Sequence, residues 1–151
     1  MGFTWHNEFS ALKAFGHRDG VPTDNGSQGP PDWFGSAGSL HTNATDYAKF
    51  LIWIMQKANS GDKIINEMLA LQTDMPNETG ECHRSIVFPV KKVDDKLRYY
   101  HSGNNGDVRA YCHFYKEEGN GIVMFSNCDN FLSSNCAENI VRFLGDVWFI
   151  V

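Results

Sequence analysis

The stretch that decides how this chain is organised is Tyr99–Gly106, YYHSGNNG, in the middle of its most β-rich region. Aromatic strand residues give way there to a small polar cluster, and strand-like sequence returns at Val108–Tyr115. Glycine within a strand lets another backbone approach closely, so Gly103 marks a candidate binding edge. The residues Asn104-Asn105-Gly106 also fit a plain hairpin turn. The local pattern alone leaves both interpretations open.

The region around this stretch contains a series of strand candidates joined by short turns: Ile86–Val93, Leu97–Ser102, Val108–Tyr115 and Gly121–Ser126. Short connections are typical of antiparallel strands, so residues 85–127 are predicted to form an antiparallel meander of three to four strands. Proline cannot donate to a strand ladder, and Pro89 therefore predicts that the first strand lies at an edge or a bulge.

Helices are predicted on both sides of this meander. Residues 43–72 predict two helices, the first capped by Asn43 with Asp46 three positions on, and the second over Lys63–Gln72. Residues 133–149 predict a C-terminal helix that begins at Ser133 or Ser134.

The beginning of the chain and the link between helices and meander are predicted to be irregular. Residues 1–42 are rich in helix- and strand-breaking residues and read as a long ordered loop, with a short helical turn at Glu8–Ala14. The large aromatic residues in it argue against a disordered linker: Trp5, Phe9, Phe15, Trp33 and Phe34. Residues 73–83 are predicted to be a surface loop.

These elements predict an α+β fold in a single partial domain over residues 1–151. Its antiparallel sheet is expected to be packed by the C-terminal helix and by the two preceding helices, because one helix layer buries only one face of a sheet.

Composition narrows the classes of function. The chain has 151 residues and a net charge of −5, and no Lys/Arg cluster stands out, so nucleic acid is not expected as a partner. No apolar run is long enough for a transmembrane segment. No Cys-x-x-Cys pair is present, so neither a zinc site nor a thioredoxin-like motif is predicted. The cysteines are expected to be mostly free thiols, although disulfides are left open: Cys82, Cys112, Cys128 and Cys136.

Other polar residues give no cofactor or metal site. Asp19, Asp24 and Asp32 do not match an EF-hand loop. The remaining histidines lack ligand spacing: His6, His17, His41, His83 and His113. Ser102 is not expected to act as a nucleophile activated by His101, because adjacent strand residues point to opposite faces.

Several stretches together resemble the serine β-lactamase-like proteins, which include class C β-lactamases, penicillin-binding proteins and related esterases. Ala37–Phe50, AGSLHTNATDYAKF, is similar to the family segment AGGL-S-T-A-x-D-L-A-x-F. His101–Gly106 resembles the third active-site motif, which is Lys-Thr-Gly in some members and His-x-Gly in many others. Gly121–Asn127 is similar to the strand that follows, and Met1–Trp5 to the segment after the family's central helical region. The resemblance covers almost the whole chain, but only the C-terminal part of the family's domain.

The resemblance implies a partial β-lactamase/transpeptidase-like fold and hydrolysis of an ester, amide or β-lactam through an acyl-serine. His101 would contact the substrate or the nucleophile's network, Ser102 would offer a hydroxyl and Gly103 would give clearance. Asn104 would supply the backbone N–H that stabilises the oxyanion, while the strand edge pairs with the substrate. Histidine in place of lysine removes a fixed positive charge near neutral pH. The motif therefore favours an esterase, peptidase or amidase over a dedicated β-lactamase.

In this family the nucleophile belongs to a Ser-x-x-Lys motif, and a second motif is Tyr-x-Asn. We expect both to lie before Met1 and neither to occur within the chain, so that it resembles a C-terminal fragment without nucleophile or general base, inactive alone. The alternative hypothesis is a non-catalytic binding or assembly module whose exposed sheet edge meets a partner, as in a homo-oligomer. The substrate, the compartment and the origin of the shortened chain are left open.

Overall fold

The computed structural model describes residues 1–23, 34–76 and 78–148. Over these ranges the chain forms three α-helices and antiparallel strands, which confirms the predicted α+β class. No helix within the described ranges is both long and apolar enough to cross a membrane. The predicted loop aromatic Trp33 and the acidic residues Asp24 and Asp32 lie outside the described residues.

The chain divides into two compact units that are each built from separate segments. The central unit comprises Tyr47–Ser102 and Tyr111–Val123. The terminal unit comprises Met1–Asp46, Gly103–Ala110 and Met124–Val151. Some helices and strands contribute residues to both units, and the contacts below are described within one unit at a time.

A six-stranded sheet in consecutive strand order runs through the described part of the chain. Its strands are β3 (Thr73–Asp74), β4 (Cys82–Arg84), β5 (Pro89–Val93), β6 (Lys96–Asn104), β7 (Arg109–Tyr115) and β8 (Asn120–Ser126). Strands β3 to β6 pair antiparallel. The links 105–108 and 116–119 are too short for a parallel crossover, so β6, β7 and β8 continue the antiparallel order. The predicted meander is thus confirmed as β5 to β8.

Two features of the sheet differ from the sequence prediction. Strands β3 and β4 lie in the predicted surface loop 73–83, where strands of two and three residues are too short to show an alternating pattern. The prediction that Pro89 marks an edge or a bulge is wrong, because β5 lies between β4 and β6. Pro89 is the first residue of its strand, a position where the missing N–H is tolerated.

The core of the central unit lies between one face of the sheet and two helices, α1 (Ala44–Asn59) and α2 (Lys63–Leu69). The helices contribute one apolar face each, at helical spacing: Leu51, Ile54, Met55, Ala58, Ile65 and Leu69. The strands contribute alternate residues, since these point to the same face: Val90, Tyr99, Cys112 and Phe114. Phe88 adds its ring from just before β5. The packing of the two predicted helices on the sheet is therefore observed.

The opposite face of β6 and β7 is buried but polar. Arg98 is 1% exposed, and its Nε and Nη2 atoms donate to the Tyr115 hydroxyl at 2.8 and 2.6 Å. On β7, which also carries Tyr115, the Tyr111 hydroxyl lies 3.1 Å from Nδ1 of the buried His113. Hydrogen bonding of this kind is what makes the burial of a guanidinium tolerable.

The terminal unit contains regular structure within the predicted loop 1–42. A 3-10 helix spans Asn7–Ala11, close to the predicted helical turn. Strands β1 (Gly16–Arg18) and β2 (Val21–Thr23) form an antiparallel hairpin. Asp19 and Gly20 join them with φ values of 51° and 76°, as a type I′ turn requires.

Caps set the ends of α1 and of α3 (Asn135–Phe143). The Asn43 side chain accepts from the Asp46 N–H at 2.9 Å, as predicted. Ser134 caps α3 by accepting from the Cys136 N–H. Helix α3 ends at Phe143, earlier than the predicted 149, because Gly145 takes a φ of 81° and the Asp146 N–H returns to the Val141 carbonyl. Packing of α3 on the sheet stays a prediction.

Candidate functional site

The four predicted site residues lie at the C-terminal end of β6. Strand alternation places His101 and Gly103 on the face that also carries Tyr99, and Ser102 and Asn104 on the other. His101 and Asn104 are exposed, whereas Ser102 and Gly103 are half-buried. His101 and Ser102 belong to the central unit, and Gly103 and Asn104 to the terminal unit. The strand thus presents the imidazole to solvent and keeps the Ser102 hydroxyl on its opposite side.

Within the central unit, His101 lies across from Cys112. The Tyr99 and Phe114 rings stack with centroids 5.2 Å apart, which is consistent with a register that places these two positions opposite each other on β6 and β7. The same register brings the His101 backbone to the Cys112 thiol, which also hydrogen-bonds to the Tyr47 side chain. Burial raises the pKa of Cys112 to about 11, so the thiol stays protonated at neutral pH. Cys112 therefore fills space beside His101 and is not an activated nucleophile.

Within the terminal unit, the residues after Gly103 form the hairpin turn that the sequence offered as its plain interpretation. The Asn105 N–H donates to the Val108 carbonyl at 3.3 Å, and the Gly106 N–H donates to Asn104 Oδ1 at 3.1 Å. Gly106 has a φ of 71°, which favours glycine at this point of the turn. A Cβ added to Gly103 would lie 3.4 Å from the Ala110 Cβ. Turn and candidate binding edge are thus parts of one hairpin.

A buried carboxylate ties this turn to the hairpin β1–β2. Arg18 Nε and Nη2 lie 2.7 and 2.6 Å from Asp107 Oδ1, and Thr23 Oγ1 donates to Asp107 Oδ2 at 2.6 Å. The Thr23 hydroxyl, followed by the Arg18 guanidinium, holds the pKa of Asp107 below its ordinary range. On the other side of the turn, Arg109 Nη1 donates to the Gly106 carbonyl. Sequence analysis missed these residues, although Asp19-Gly20 is a recognisable hairpin signal.

The start of the family-like segment Ala37–Phe50 lies against the same turn. The Ser39 hydroxyl is buried and donates to the Gly35 carbonyl at 2.6 Å, which closes a tight loop. A Cβ on Gly38 would lie 3.7 Å from Asn105 Oδ1. Just beyond this loop, His41 pairs with Gly2 through two backbone hydrogen bonds, and its ring lies 5.0 Å from Trp5. Two of the stretches named in the resemblance, and the turn of the third motif, are therefore neighbours in the terminal unit.

The end of β8 also meets the hairpin β1–β2. Asn127 Nδ2 donates to the Phe15 carbonyl at 2.8 Å, and the Asp129 N–H donates to the His17 carbonyl at 3.1 Å. His17 Nδ1 lies 3.3 Å from the Asn127 carbonyl. Within the terminal unit, one hairpin thus contacts both the third-motif turn and the Ser-Asn end of the following strand.

The prediction that the chain contains no Ser-x-x-Lys spacing is wrong. Two stretches have it, Ser10-Ala11-Leu12-Lys13 and Ser60-Gly61-Asp62-Lys63. A helix brings residues three apart onto one face, which lets a lysine act on a serine. The 3-10 helix that holds Ser10 ends at Ala11, and the Lys13 ammonium lies 5.4 Å from the Phe15 ring.

The second stretch also fails to place its two side chains on one helix. Ser60 follows the end of α1, Gly61 has a φ of 85°, and Lys63 begins α2. The Ser60 hydroxyl donates to the Lys57 carbonyl at 2.9 Å. Neither serine therefore shares a helix with its lysine. No tyrosine in the sequence is followed two residues later by asparagine.

The other polar residues form no metal centre in the described ranges, where no group of three or more His, Cys, Asp or Glu side chains is arranged to hold an ion. His83 lies between two carboxylates, with Nδ1 2.8 Å from Asp74 and Nε2 3.4 Å from Glu81. In this part of the chain all four cysteines are free thiols.

Comparison with known proteins identifies the family. The family model named Beta-lactamase matches residues 2–146. The chain belongs to the beta-lactamase family. Its fold is that of a partial β-lactamase/transpeptidase-like domain, as predicted. No curated protein matches this beta-lactamase-family chain.

A solved structure with the same fold is described as the octameric penicillin-binding protein homologue from Pyrococcus abyssi. The TM-score is 0.70 at 19% sequence identity. The match covers 94% of this chain and 34% of that one, so the chain spans about a third of the length of the protein it resembles.

Proposed function

We propose that this chain forms the third-motif wall of an acyl-serine hydrolase pocket and that the nucleophile is supplied by polypeptide outside it. The complete protein would hydrolyse an ester, amide or β-lactam, with an ester or amide favoured because His101 replaces a lysine. The observation that carries the proposal is the placement of His101-Ser102-Gly103-Asn104 at the end of β6, in a chain of the beta-lactamase family.

His101 is assigned contact with the substrate or with the proton network of the nucleophile. Its exposure at the strand end supports this role, because a group that meets substrate must be reachable from solvent. Ser102 offers its hydroxyl from the opposite face of the strand.

Gly103 and Asn104 are assigned to the oxyanion. A backbone N–H stabilises a developing negative charge only when it is fixed in place before the reaction. The hydrogen bonds of the turn that follows, from Gly106 to Asn104 and from Asn105 to Val108, support such fixation.

The absence of a helix shared by a Ser-x-x-Lys pair in the described residues supports an external nucleophile. Length supports it as well, since a homologue with this fold has about two thirds of its chain outside the matched region. From both points we predict that the purified chain has no hydrolase activity by itself.

The first experiment tests that prediction with nitrocefin and p-nitrophenyl acetate as substrates for the purified chain. We expect turnover no faster than in buffer. The variants Ser10→Ala and Ser60→Ala are run in parallel, and turnover by the chain that either variant abolishes would place the nucleophile inside it and overturn the proposal.

The second experiment tests the pocket wall in a longer protein. DNA upstream of codon 1 is sequenced for an in-frame Ser-x-x-Lys followed by Tyr-x-Asn, and the encoded protein is expressed whole. We expect p-nitrophenyl ester hydrolysis and labelling by a fluorescent penicillin. His101→Ala should lower kcat/KM about 100-fold, whereas His6→Ala, at another exposed histidine, should leave it unchanged. An upstream sequence without these motifs, or equal rates for both variants, would refute the assignment.

Self-association is proposed as a companion property, with the octameric state of the Pyrococcus abyssi homologue as its support. In the described part of the chain β3 and β8 are the outer strands of the sheet, and outer strands invite pairing with another chain. Size-exclusion chromatography with light scattering should give a mass above that of one 17.0 kDa chain. A monomer at all concentrations tested would contradict it.

A further inference from the structure

The third-motif turn is held by more polar contacts from distant sequence than its own conformation requires. A turn with glycine at positive φ forms without help from side chains elsewhere. Here the Asp107 side chain is only 6% exposed and is bound by an Arg18 side chain that is 61% exposed. A buried carboxylate is costly unless it is paired and hydrogen-bonded, so the arrangement calls for a reason beyond reversing the chain.

We propose that Asp107, Arg18 and Thr23 are positioning residues that fix the turn of the third motif and thereby hold the Asn104 N–H ready to stabilise an oxyanion. The inference rests on the proposed function for the meaning of that N–H, but the fixation itself is a property of the chain alone. We call these three side chains the Asp107 clamp.

The clamp and the neighbouring backbone contacts hold the turn at several of its residues. The backbone carbonyl of Asp107 accepts from the His17 N–H at 3.3 Å, while its carboxylate binds Arg18 and Thr23 on either end of the hairpin β1–β2. The Gly106 carbonyl is bound in turn by Arg109. All four residues that follow Asn104 thus have a partner outside or across the turn, because the Val108 carbonyl accepts from the Asn105 N–H and from Arg109 Nη1.

The same hairpin is anchored independently of the clamp. Asn127 Nδ2 donates to the Phe15 carbonyl, and the Asp129 N–H donates to the His17 carbonyl. The position of the hairpin β1–β2 therefore does not depend on its contacts with the turn. Removing the clamp should release the turn while the hairpin keeps its contacts with the end of β8.

Positive charge around Asp107 also favours the clamp. Two guanidinium groups, Arg18 and Arg109, act on the single carboxylate of Asp107 and favour its ionised form. A charge-assisted pair with a second hydrogen bond from Thr23 holds orientation better than one neutral bond. Asparagine in place of Asp107 keeps the shape and loses the charge, which makes it the most direct variant.

The experiment is amide hydrogen exchange by NMR on the whole chain. In Asp107→Asn, the Asn105, Gly106 and His17 amides should exchange at least tenfold faster than in the parent protein. Amides of α1 and of β5 should change less than twofold. Arg18→Gln should give the same pattern and Arg18→Lys a weaker one, and the double variant Arg18→Gln/Asp107→Asn should be no worse than Asp107→Asn.

The control is Asp94→Asn, which removes the same charge from an exposed turn residue with positive φ, a conformation that asparagine tolerates. It should leave exchange at Asn105 and Gly106 unchanged. Unchanged exchange at these amides in Asp107→Asn would overturn the clamp, and so would an equal increase throughout the chain, which indicates lost global stability. These readouts need no catalysis, so an inactive longer protein would refute the proposed function and leave the clamp standing.

Discussion

The two turns that flank β7 are held in different ways. The turn at 105–108 depends on side chains from the hairpin β1–β2, above all Arg18 and Thr23 on Asp107. The turn at 116–119 is set by its own backbone, with the Gly119 N–H donating to the Tyr115 carbonyl at 3.0 Å and a φ of 68° at Gly119. Side chains from other elements also contact it: Asn59 Nδ2 of α1 donates to the Lys116 carbonyl, and Lys96 Nζ of β6 lies 3.8 Å from the Glu118 carboxylate.

The difference separates a turn that only reverses the chain from one that presents backbone groups. Local sterics and a glycine are sufficient for a turn that only reverses the chain, such as the one at 116–119. Presenting a backbone N–H to a reacting group requires its orientation to be fixed before the reaction, and side chains from outside the turn add to the fixation that the turn's own hydrogen bonds supply. The contrast can be tested one contact at a time.

The largest effect is expected where the second turn enters β8. A Cβ on Gly121 would lie 2.4 Å from the His113 carbonyl oxygen and 2.8 Å from the Phe114 Cβ, so the backbone of β8 would have to move. Gly121→Val should lower the free energy of unfolding by about 3 kcal/mol, measured by urea denaturation.

The matched control for that variant is Gly119→Ala, two residues earlier. Nothing lies within 4 Å of an added Cβ there, so only the positive φ opposes it. We expect a loss of about 1 kcal/mol. Equal losses for the two variants would show that backbone conformation, and not close approach to β7, governs the second turn.

An intermediate effect is expected on the buried polar face that β6 and β7 share. Tyr115→Phe removes the hydroxyl that accepts two bonds from Arg98, and the loss of hydrogen bonds from a charged group costs about 2 kcal/mol. Denaturation gives this loss, and hydrogen exchange at Gly106 should stay unchanged because the clamp is intact. Faster exchange at Gly106 would mean that the Arg98–Tyr115 contact also stabilises the turn between β6 and β7, contrary to the prediction.

The smallest effect is a pH dependence confined to the first turn. The Thr23 hydrogen bond and the positive charge of Arg18 lower the pKa of Asp107 from its ordinary value, so its stabilising contribution is complete above that ordinary value and is lost as the pH falls through the folded-state pKa. NMR titration should show the Gly106 and His17 amide shifts moving only at acid pH. In Asp107→Asn this acid transition should be absent, and its persistence would assign it to another carboxylate.

Much of the fold follows from local sequence because its signals act over a few residues. Asn43 and Ser134 cap helices where their side chains accept the next free N–H groups. The meander follows from apolar alternation and short turns. The predicted end of α3 is six residues too late, because the predicted helix continued through Gly145, whose positive φ ends it.

The candidate site is only half visible in sequence. The motif His101–Asn104 is contiguous and resembles a family pattern, so it can be found. The partners of Asp107 are far from it in sequence: Arg18 is 89 positions away and Thr23 is 84 positions away. No local sequence rule relates an aspartate to a partner at such a distance. The Asp19-Gly20 turn signal would have revealed the hairpin, but not what it binds.

The Arg18–Asp107 pair has a consequence for the order of folding. It joins positions 89 apart, whereas the Gly119–Tyr115 bond joins positions four apart. Closing a long loop costs chain entropy before any contact rewards it, and contacts between distant positions slow the search. The second turn can nucleate on its own, and we expect the first to acquire its final shape late, after most of the intervening chain has already taken its native conformation.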